Sequence, residues 1–374
     1  MRVGVQVDQL FFATPGGIGT YIRNLVPALG RQDPSLKLTL FHSRFASHDA
    51  PERWMRDHWV EELPWSIRTL YPRWDTLGRP ALPASLGALD IAHATNPVAI
   101  PPAAEGQRLV VTVHDLAFEN YPSLFPWQWR ALYRLGLRAA VKRADAILTP
   151  SRNTAEDVLS RTKVDPRKLH VVPLAAALPT SGGDVGEILA RLKVRPPYVL
   201  SVGTIEPRKN LVRLVRAYRR VASTGVPHAL VLAGPLGWHH ESLMRELALE
   251  GPGVILMTGS LGPDELDAVY RAAEAFVYPS LYEGFGLPVL EAMARGIPTI
   301  ASNTSSIPEV SGDAALSVNP RSVREIAAAI ESVCSDAELA EKLAARGRAR
   351  AERFSWDETA RLTLGVYEQV MGSK

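Results

Sequence analysis

At 374 residues the chain exceeds the length at which one hydrophobic core keeps growing, so two domains are expected. With 46% hydrophobic and 22% charged residues it has an ordinary globular composition, and a net charge of +3 suits anionic ligands or an anionic membrane surface without calling for a nucleic-acid partner. The single cysteine, Cys334, excludes an intramolecular disulfide and fits a reducing cytoplasm, and no uninterrupted apolar stretch approaches the length that spans a bilayer.

The amino terminus reads Met-Arg-Val-Gly-Val-Gln-Val-Asp, which alternates like a strand and reaches Asp8 too soon for a signal peptide. Strands are predicted over Val3–Val7, Leu38–His42, Asp90–Ala94, Leu109–His114, Ala146–Thr149 and Leu169–Val172. Helices are predicted through Tyr21–Leu29, Pro126–Arg143 and Asn153–Ser160. The first turn, Thr14-Pro-Gly16-Gly17-Ile-Gly19, departs from the G-x-G-x-x-G dinucleotide fingerprint, which argues against a dehydrogenase. Its glycines let a backbone approach a ligand closely, although a plain flexible turn would use them as well. Between Arg53 and Trp74 the chain mixes Trp54, Trp59, Trp65, Tyr71 and Trp74 with Arg56, Arg68 and Arg73. That mixture suits a membrane interface, a sugar-stacking acceptor site or an amphipathic insertion packed on the first domain. Thr112-Val-His114-Asp115 ends a strand, where ligands of open parallel sheets gather.

The segment Ala175–Glu187, centred on Thr180-Ser-Gly-Gly-Asp184, reads as a linker. The same grammar then restarts. Strands are predicted at Val199–Val202, Ala229–Ala233, Val254–Thr258, Phe276–Tyr278, Thr299–Ala301 and Ala315–Val318. Helices are predicted at Arg208–Ala222, Glu241–Leu249, Asp264–Ala272 and Pro288–Ala294. Alternation of this kind is the pattern of parallel sheets with helices on both faces. Helices over Val323–Ser332, Glu338–Arg353 and Trp356–Met371 close the chain, the last with a capping box in Ser355-Trp-Asp-Glu358. His239-His240 is no metal pair, because adjacent helical residues face different directions.

Four strand ends in this half carry chemistry. Gly203-Thr204-Ile-Glu206-Pro-Arg208-Lys209 places a planar phosphate-binding fork and a compact ammonium where the next helix is expected to begin. Cations there oppose the helix dipole, which a bound anion would explain. Thr258-Gly259-Ser260 and Asn303-Thr304-Ser305-Ser306 follow two further strands. In Ser280-Leu-Tyr-Glu283-Gly-Phe285-Gly286-Leu287-Pro288-Val-Leu-Glu291, two carboxylates flank a Phe-Gly turn in E-x7-E spacing. Proline fits the first helical turn, so Glu283 lies on a loop and Glu291 one turn into a helix whose N–H groups attract anions. Taken alone, the spacing would also fit a surface turn.

This last segment resembles the signature of family-4 retaining glycosyltransferases of the GT-B fold, and the likeness runs from Gly16-Gly17 to the final helix. The resemblance implies an α/β protein of two Rossmann-like, doubly wound parallel-sheet domains facing a central cleft. Residues 1–176 would form an acceptor domain, 188–353 a nucleotide-sugar donor domain, and 354–374 a helix crossing back to the first. It implies catalytic roles for Glu283, His114, Arg208 and Lys209. Glu283 and His114 would contact the donor sugar, and the two cations would bind the diphosphate. Donor-binding positions would be Gly16, Gly17, Gly203, Thr204, Thr258, Ser260, Phe285, Gly286, Leu287 and Glu291, the last holding the ribose. The motifs look most similar to bacterial mannosyltransferases that use GDP-mannose. That implies metal-independent transfer of a hexose to a glycan or lipid-linked acceptor in the cytoplasm, with no cofactor beyond the nucleotide sugar. Peripheral contact with the inner face of the membrane through Arg53–Trp74 is expected. A silent nucleotide-sugar binding protein and a sugar-nucleotide epimerase are the competing readings. A glycoside hydrolase lacks the fold pattern.

Overall fold

Strands that are apolar on both faces must be covered on both faces by the helices that connect them, and both halves of the chain follow that rule. The computed structural model describes residues 1–45, 52–178 and 183–372, and divides the chain into two compact units. Unit 1 comprises Met1–Leu174 and Ser355–Lys374; unit 2 comprises Ala175–Phe354.

Unit 1 contains β1 (Arg2–Gln6), β2 (Lys37–Arg44), β3 (Trp59–Ser66), β4 (Ile91–Ala94), β5 (Arg108–Thr112), β6 (Ala146–Thr149) and β7 (Leu169–Val171), in the order β3-β2-β1-β4-β5-β6-β7. Unit 2 contains β8 (Tyr198–Val202), β9 (Ala229–Ala233), β10 (Ile255–Gly259), β11 (Ala275–Tyr278), β12 (Thr299–Ser302) and β13 (Leu316–Val318), in the order β10-β9-β8-β11-β12-β13. All pairings of these strands are parallel. Strand order reverses between β1 and β4 in one sheet and between β8 and β11 in the other. Connections leave in opposite directions there and open a crevice at the carboxyl ends. The predicted strands are all present, with ends shifted by at most two residues.

Helix Leu211–Ala222 illustrates how the layers close. Leu211, Leu214, Val215, Tyr218 and Val221 recur at helical spacing and are buried, while the arginines between them face outward.

Four local expectations need correction. The segment Arg53–Trp74 contains the edge strand β3 and the start of helix Ile67–Leu77, neither of which was predicted. Glu61, Glu62 and Pro64 break the apolar signal, and an edge strand tolerates all three. Its aromatic residues mostly face inward: Trp74 is fully buried and donates Nε1–H to the Pro80 carbonyl at 2.8 Å, and Tyr71 and Trp65 join the same core. Trp59 is exposed. The predicted linker Ala175–Glu187 falls partly on residues 179–182, outside the described residues, and its end is already helical. Asp184 accepts from the Glu187 N–H at 3.0 Å and starts helix Val185–Leu192. Arg208 and Lys209 do not open a helix either. They occupy a single 3₁₀ turn, Pro207–Lys209, and Asn210 in the left-handed region (φ +61°) separates them from Leu211. Finally, Ser355 accepts from the Glu358 N–H at 3.1 Å, but the Glu358 carboxylate is taken by Arg361, so only half of the capping box forms.

Helix Trp356–Gly372 packs on helix Gly16–Gln32 within unit 1. Its Tyr367 hydroxyl lies 2.7 Å from Nδ1 of the fully buried His93, whose Nε2 is 2.8 Å from the Thr112 hydroxyl. Burial and the neighbouring His114 push the His93 pKa down to about 3, so this ring stays neutral. Among the described residues no helix is long and apolar enough to cross a membrane.

Candidate active site

The crevice between β8 and β11 in unit 2 collects most of the predicted residues. After β8 the chain turns at Gly203 (φ +144°) into Pro207–Lys209; after β11 it enters the Ser280–Gly286 loop. Four donors converge on Glu283. Its Oε1 accepts from Ser280 Oγ at 2.6 Å, Lys209 Nζ at 2.7 Å and Tyr278 OH at 3.0 Å, and its Oε2 accepts from Arg208 Nη1 at 2.6 Å. Burial alone would raise the pKa of this carboxyl. Arg208 and Lys209 outweigh it and hold the value down to about 2. With four donors around it and its pKa held that low, Glu283 is an ionised acceptor and a weak base near neutral pH.

Arg208 is braced from the other side by Glu206, whose Oε1 receives both Nε at 3.0 Å and Nη2 at 2.5 Å. Glu206 is buried, and its Oε2 has no hydrogen-bond partner among the described residues. Glu206 had no role in the sequence pattern; its two-residue spacing to Arg208 was the available signal. Lys209 also reaches Tyr278 OH at 2.5 Å, and burial together with Arg208 lowers its pKa. Two cations forced together in a buried site gain from any further anion. Both residues precede the helix, so crowding of like charge, and not the helix dipole, favours a bound anion there.

Asn210 is a second residue that pattern reading missed. Its Nδ2 donates to the carbonyls of Pro279 at 3.0 Å and Pro320 at 2.6 Å, tying the basic turn to the loops after β11 and β13. Ser305 and Ser306 brace the acidic loop. Ser305 Oγ accepts from the Glu283 N–H at 2.9 Å, and Ser306 Oγ donates to the carbonyls of Glu283 and Phe285 at 2.8 and 3.0 Å.

Gly286 (φ +109°) turns the chain into helix Leu287–Ala294. The N–H of Leu287, at the first helical position, has no acceptor within the helix. Phe285 is buried edge-on against Phe354. One turn on, the half-buried Glu291 has its Oε2 3.1 Å from Tyr270 OH. Desolvation raises its pKa to about 7, against opposing contributions from Arg295, Tyr270 and the Ala177 N–H. Thr258 lies in β10 and Ser260 just beyond it, on the strand two places from β8 in the sheet. Ser260 is exposed and Thr204 half-buried.

Gly16, Gly17 and His114 belong to unit 1, at the carboxyl edge of its sheet. Gly16 (φ +58°) and Gly17 open helix Gly16–Gln32, whose Tyr21 meets the His114 ring edge-on at 5.0 Å. His114 lies just beyond β5, and its Nε2 is 2.9 Å from the Thr95 carbonyl. A carbonyl only accepts, so Nε2 carries the hydrogen and Nδ1 a lone pair. Burial lowers the His114 pKa, which keeps the ring neutral. Asp115 caps the next short helix by accepting from the Ala117 N–H at 2.9 Å.

A paired acidic and basic cluster at the switch point of a Rossmann sheet is suited to holding a polyol beside a phosphate. Comparisons with known proteins agree with that chemistry. Residues 15–176 match the family model described as Glycosyltransferase Family 4, and residues 190–350 match Glycosyl transferases group 1. The chain is 34% identical over 269 residues to the O-antigen chain mannosyltransferase B of Escherichia coli, covering 70% of each chain. It is 33% identical over 246 residues to the serotype-specific mannosyltransferase WbdA of Escherichia coli, covering 63% of this chain but only 30% of that longer relative. Among solved structures it resembles the sucrose-phosphate synthase of Thermosynechococcus elongatus, with a TM-score of 0.77, 21% identity and 100% of both chains covered. The chain therefore belongs to the family-4 glycosyltransferases of the GT-B fold.

Proposed function

We propose that the chain transfers mannose from GDP-mannose to a glycan or lipid-linked acceptor, with retention of anomeric configuration and without a divalent metal. The interlocked Arg208, Lys209 and Glu283 between β8 and β11 carry this reading. The name of the Escherichia coli mannosyltransferase relative supports mannose.

In this scheme Arg208 and Lys209 hold the diphosphate as it gains charge, while Gly203, Thr204 and the amides of Phe285, Gly286 and Leu287 line it. Thr258 and Ser260 receive the base, and Glu291 accepts from the ribose hydroxyls. Gly16 and Gly17 approach the donor, and His114 Nδ1 accepts from a sugar hydroxyl. The bond from the anomeric carbon to the phosphate breaks as the acceptor oxygen bonds the same carbon, and the acceptor proton passes to the departing phosphate. Glu283, ionised and already crowded with donors, orients the sugar and does not act as a nucleophile.

A panel of GDP-mannose, UDP-glucose, UDP-N-acetylglucosamine and dTDP-rhamnose in a thermal-shift assay tests the donor, followed by turnover in EDTA. GDP-mannose is expected to raise Tm most, and activity to survive chelation. A larger response to another sugar would replace the donor, and strict metal dependence would remove the role given to the basic pair.

Donor affinity should also depend on pH. The ribose hydroxyls need the Glu291 carboxylate, whose pKa is about 7. Affinity is therefore expected to tighten about tenfold between roughly pH 6 and pH 8, and to become weaker but flat in Glu291→Gln. Calorimetry at several pH values reads this; an unchanged slope in the variant would exclude Glu291. Without donor, the same raised pKa lowers folding stability as pH climbs from about 4.5 to about 7, because the folded chain then keeps a proton that the unfolded chain has released.

A further inference from the structure

Four polar side chains form an unbroken line through the interior of unit 1. Tyr367 OH lies 2.7 Å from His93 Nδ1, His93 Nε2 lies 2.8 Å from Thr112 Oγ1, and Thr112 Oγ1 lies 3.0 Å from Tyr21 OH. Each member comes from a different element: helix Trp356–Gly372, β4, β5 and helix Gly16–Gln32. None is more than 2% exposed, so none of them touches a substrate. Stability does not call for such a line. Replacing a buried hydrogen-bonded pair by apolar groups of the same shape is close to neutral, whereas removing one partner alone is costly. What the line supplies is orientation. The neutral His93 ring donates through one nitrogen and accepts through the other, which ties the Tyr367 hydroxyl to that of Thr112.

The far end of the line lies against His114. Thr112 ends β5 two residues before it, and Tyr21 meets its ring edge-on, with 78° between the two planes. The Thr95 carbonyl holds His114 Nε2, but a single hydrogen bond fixes one atom and not the plane of a ring. The Tyr21 ring supplies the second constraint, and the bond from its hydroxyl to Thr112 fixes Tyr21 in turn. Tyr21 also stands just over one turn into the helix that Gly16 and Gly17 open.

We propose that Tyr367, His93, Thr112 and Tyr21 are positioning residues for the His114 imidazole, so that the last helix of the chain orients a group at the carboxyl edge of the first sheet. The inference rests on the role given to His114 in the proposed function. Nδ1 of that ring accepts squarely from a sugar hydroxyl only while the ring plane is fixed, and a displacement near 1 Å at such a contact costs about a hundredfold in rate. Removing the Tyr367 hydroxyl leaves His93 one partner short. The ring then re-pairs, Thr112 follows its nitrogen, and Tyr21 loses the bond that holds it against His114.

Nitrogen NMR of the isotope-labelled histidines in the full chain, together with release of GDP from GDP-mannose without an acceptor, tests it. Nine histidines contribute signals, and those lost in His114→Gln belong to His114. Wild type is expected to show one set for this ring, with Nε2 protonated and Nδ1 bare. Tyr367→Phe and Thr112→Val should each shift or split that set and lower kcat for GDP release about tenfold with KM unchanged. Thr112→Ser keeps the hydroxyl and should restore both readings. Ile147→Val in β6 controls for a plain loss of core packing: it should lower Tm and leave the His114 signals unmoved. Unmoved His114 signals in Tyr367→Phe or Thr112→Val would overturn the proposal whatever the change in Tm. The same signal change in Ile147→Val, no restoration by Thr112→Ser, or moved signals with unchanged kcat would overturn it too. If wild type releases no GDP, or His114→Gln releases it at the wild-type rate, the donor reading fails instead, and the NMR signals still decide whether the line holds the ring.

Discussion

Arg208→Ala is expected to lower kcat/KM by about 10²–10³-fold, the loss of some 3–4 kcal/mol of transition-state stabilisation typical of a preorganised charge donor. The guanidinium donates to the carboxylates of both Glu206 and Glu283, and both are buried. Its removal takes the hydrogen-bonded countercharge from Glu206 and leaves the neighbouring Lys209, so folding stability should also fall, by about 3 kcal/mol, the lower end for a broken buried ion pair. Glu283 is less exposed to this loss because Lys209, Tyr278 and Ser280 still hold it. Arg208→Lys separates the two effects. A lysine keeps the charge and part of the stability but lacks the planar fork, so kcat/KM should still fall while unfolding by urea shifts less. Full turnover in the alanine variant would show that the diphosphate is held elsewhere.

Gly234→Ala should be nearly as damaging without touching a charged group. A Cβ at this position would lie 2.1 Å from the Gly203 carbonyl oxygen and 2.7 Å from its carbon, and the backbone holds φ at +146°. Both obstacles are backbone, which cannot swing aside as a side chain would. Overpacking together with the strained conformation is expected to cost about 3 kcal/mol of stability. The strain should pass to the Gly203–Thr204 turn, since Ile205 N–H bonds the Pro235 carbonyl and Gly237 N–H the Ile205 carbonyl. A lower Tm with a weakened thermal response to donor is the expected pair of observations. Unchanged donor binding alongside the lower Tm would show that the turn tolerates displacement.

The strands were legible because buried parallel strands leave a signal that survives without context, as in Ala275-Phe-Val-Tyr278, where all four residues are buried. Elements under weaker constraint were hidden. Strand β3 sits at an edge, so its sequence is free to carry two glutamates and a proline. Helix Val185–Leu192 carries a cap signal in Asp184 and Glu187, but the serine and two glycines just before it made the stretch read as a linker. In the candidate site the motif supplied residue types and spacing along the chain. It could not supply Glu206 and Asn210, whose contacts span from two residues to over a hundred and are fixed by the sheet order that brings β8 beside β11. Nor could it reveal that Arg208 and Lys209 stand ahead of their helix, because that depends on one asparagine in a left-handed conformation.

Unit 1 is written in two installments, Met1–Leu174 and Ser355–Lys374, with the whole of unit 2 between them. The buried imidazole of His93 finds its Tyr367 partner only in the second. During synthesis the first-made segment must therefore wait, with that imidazole uncovered, until all of unit 2 has been made. A chain broken off before Tyr367 would feel the loss first in the segment made earliest.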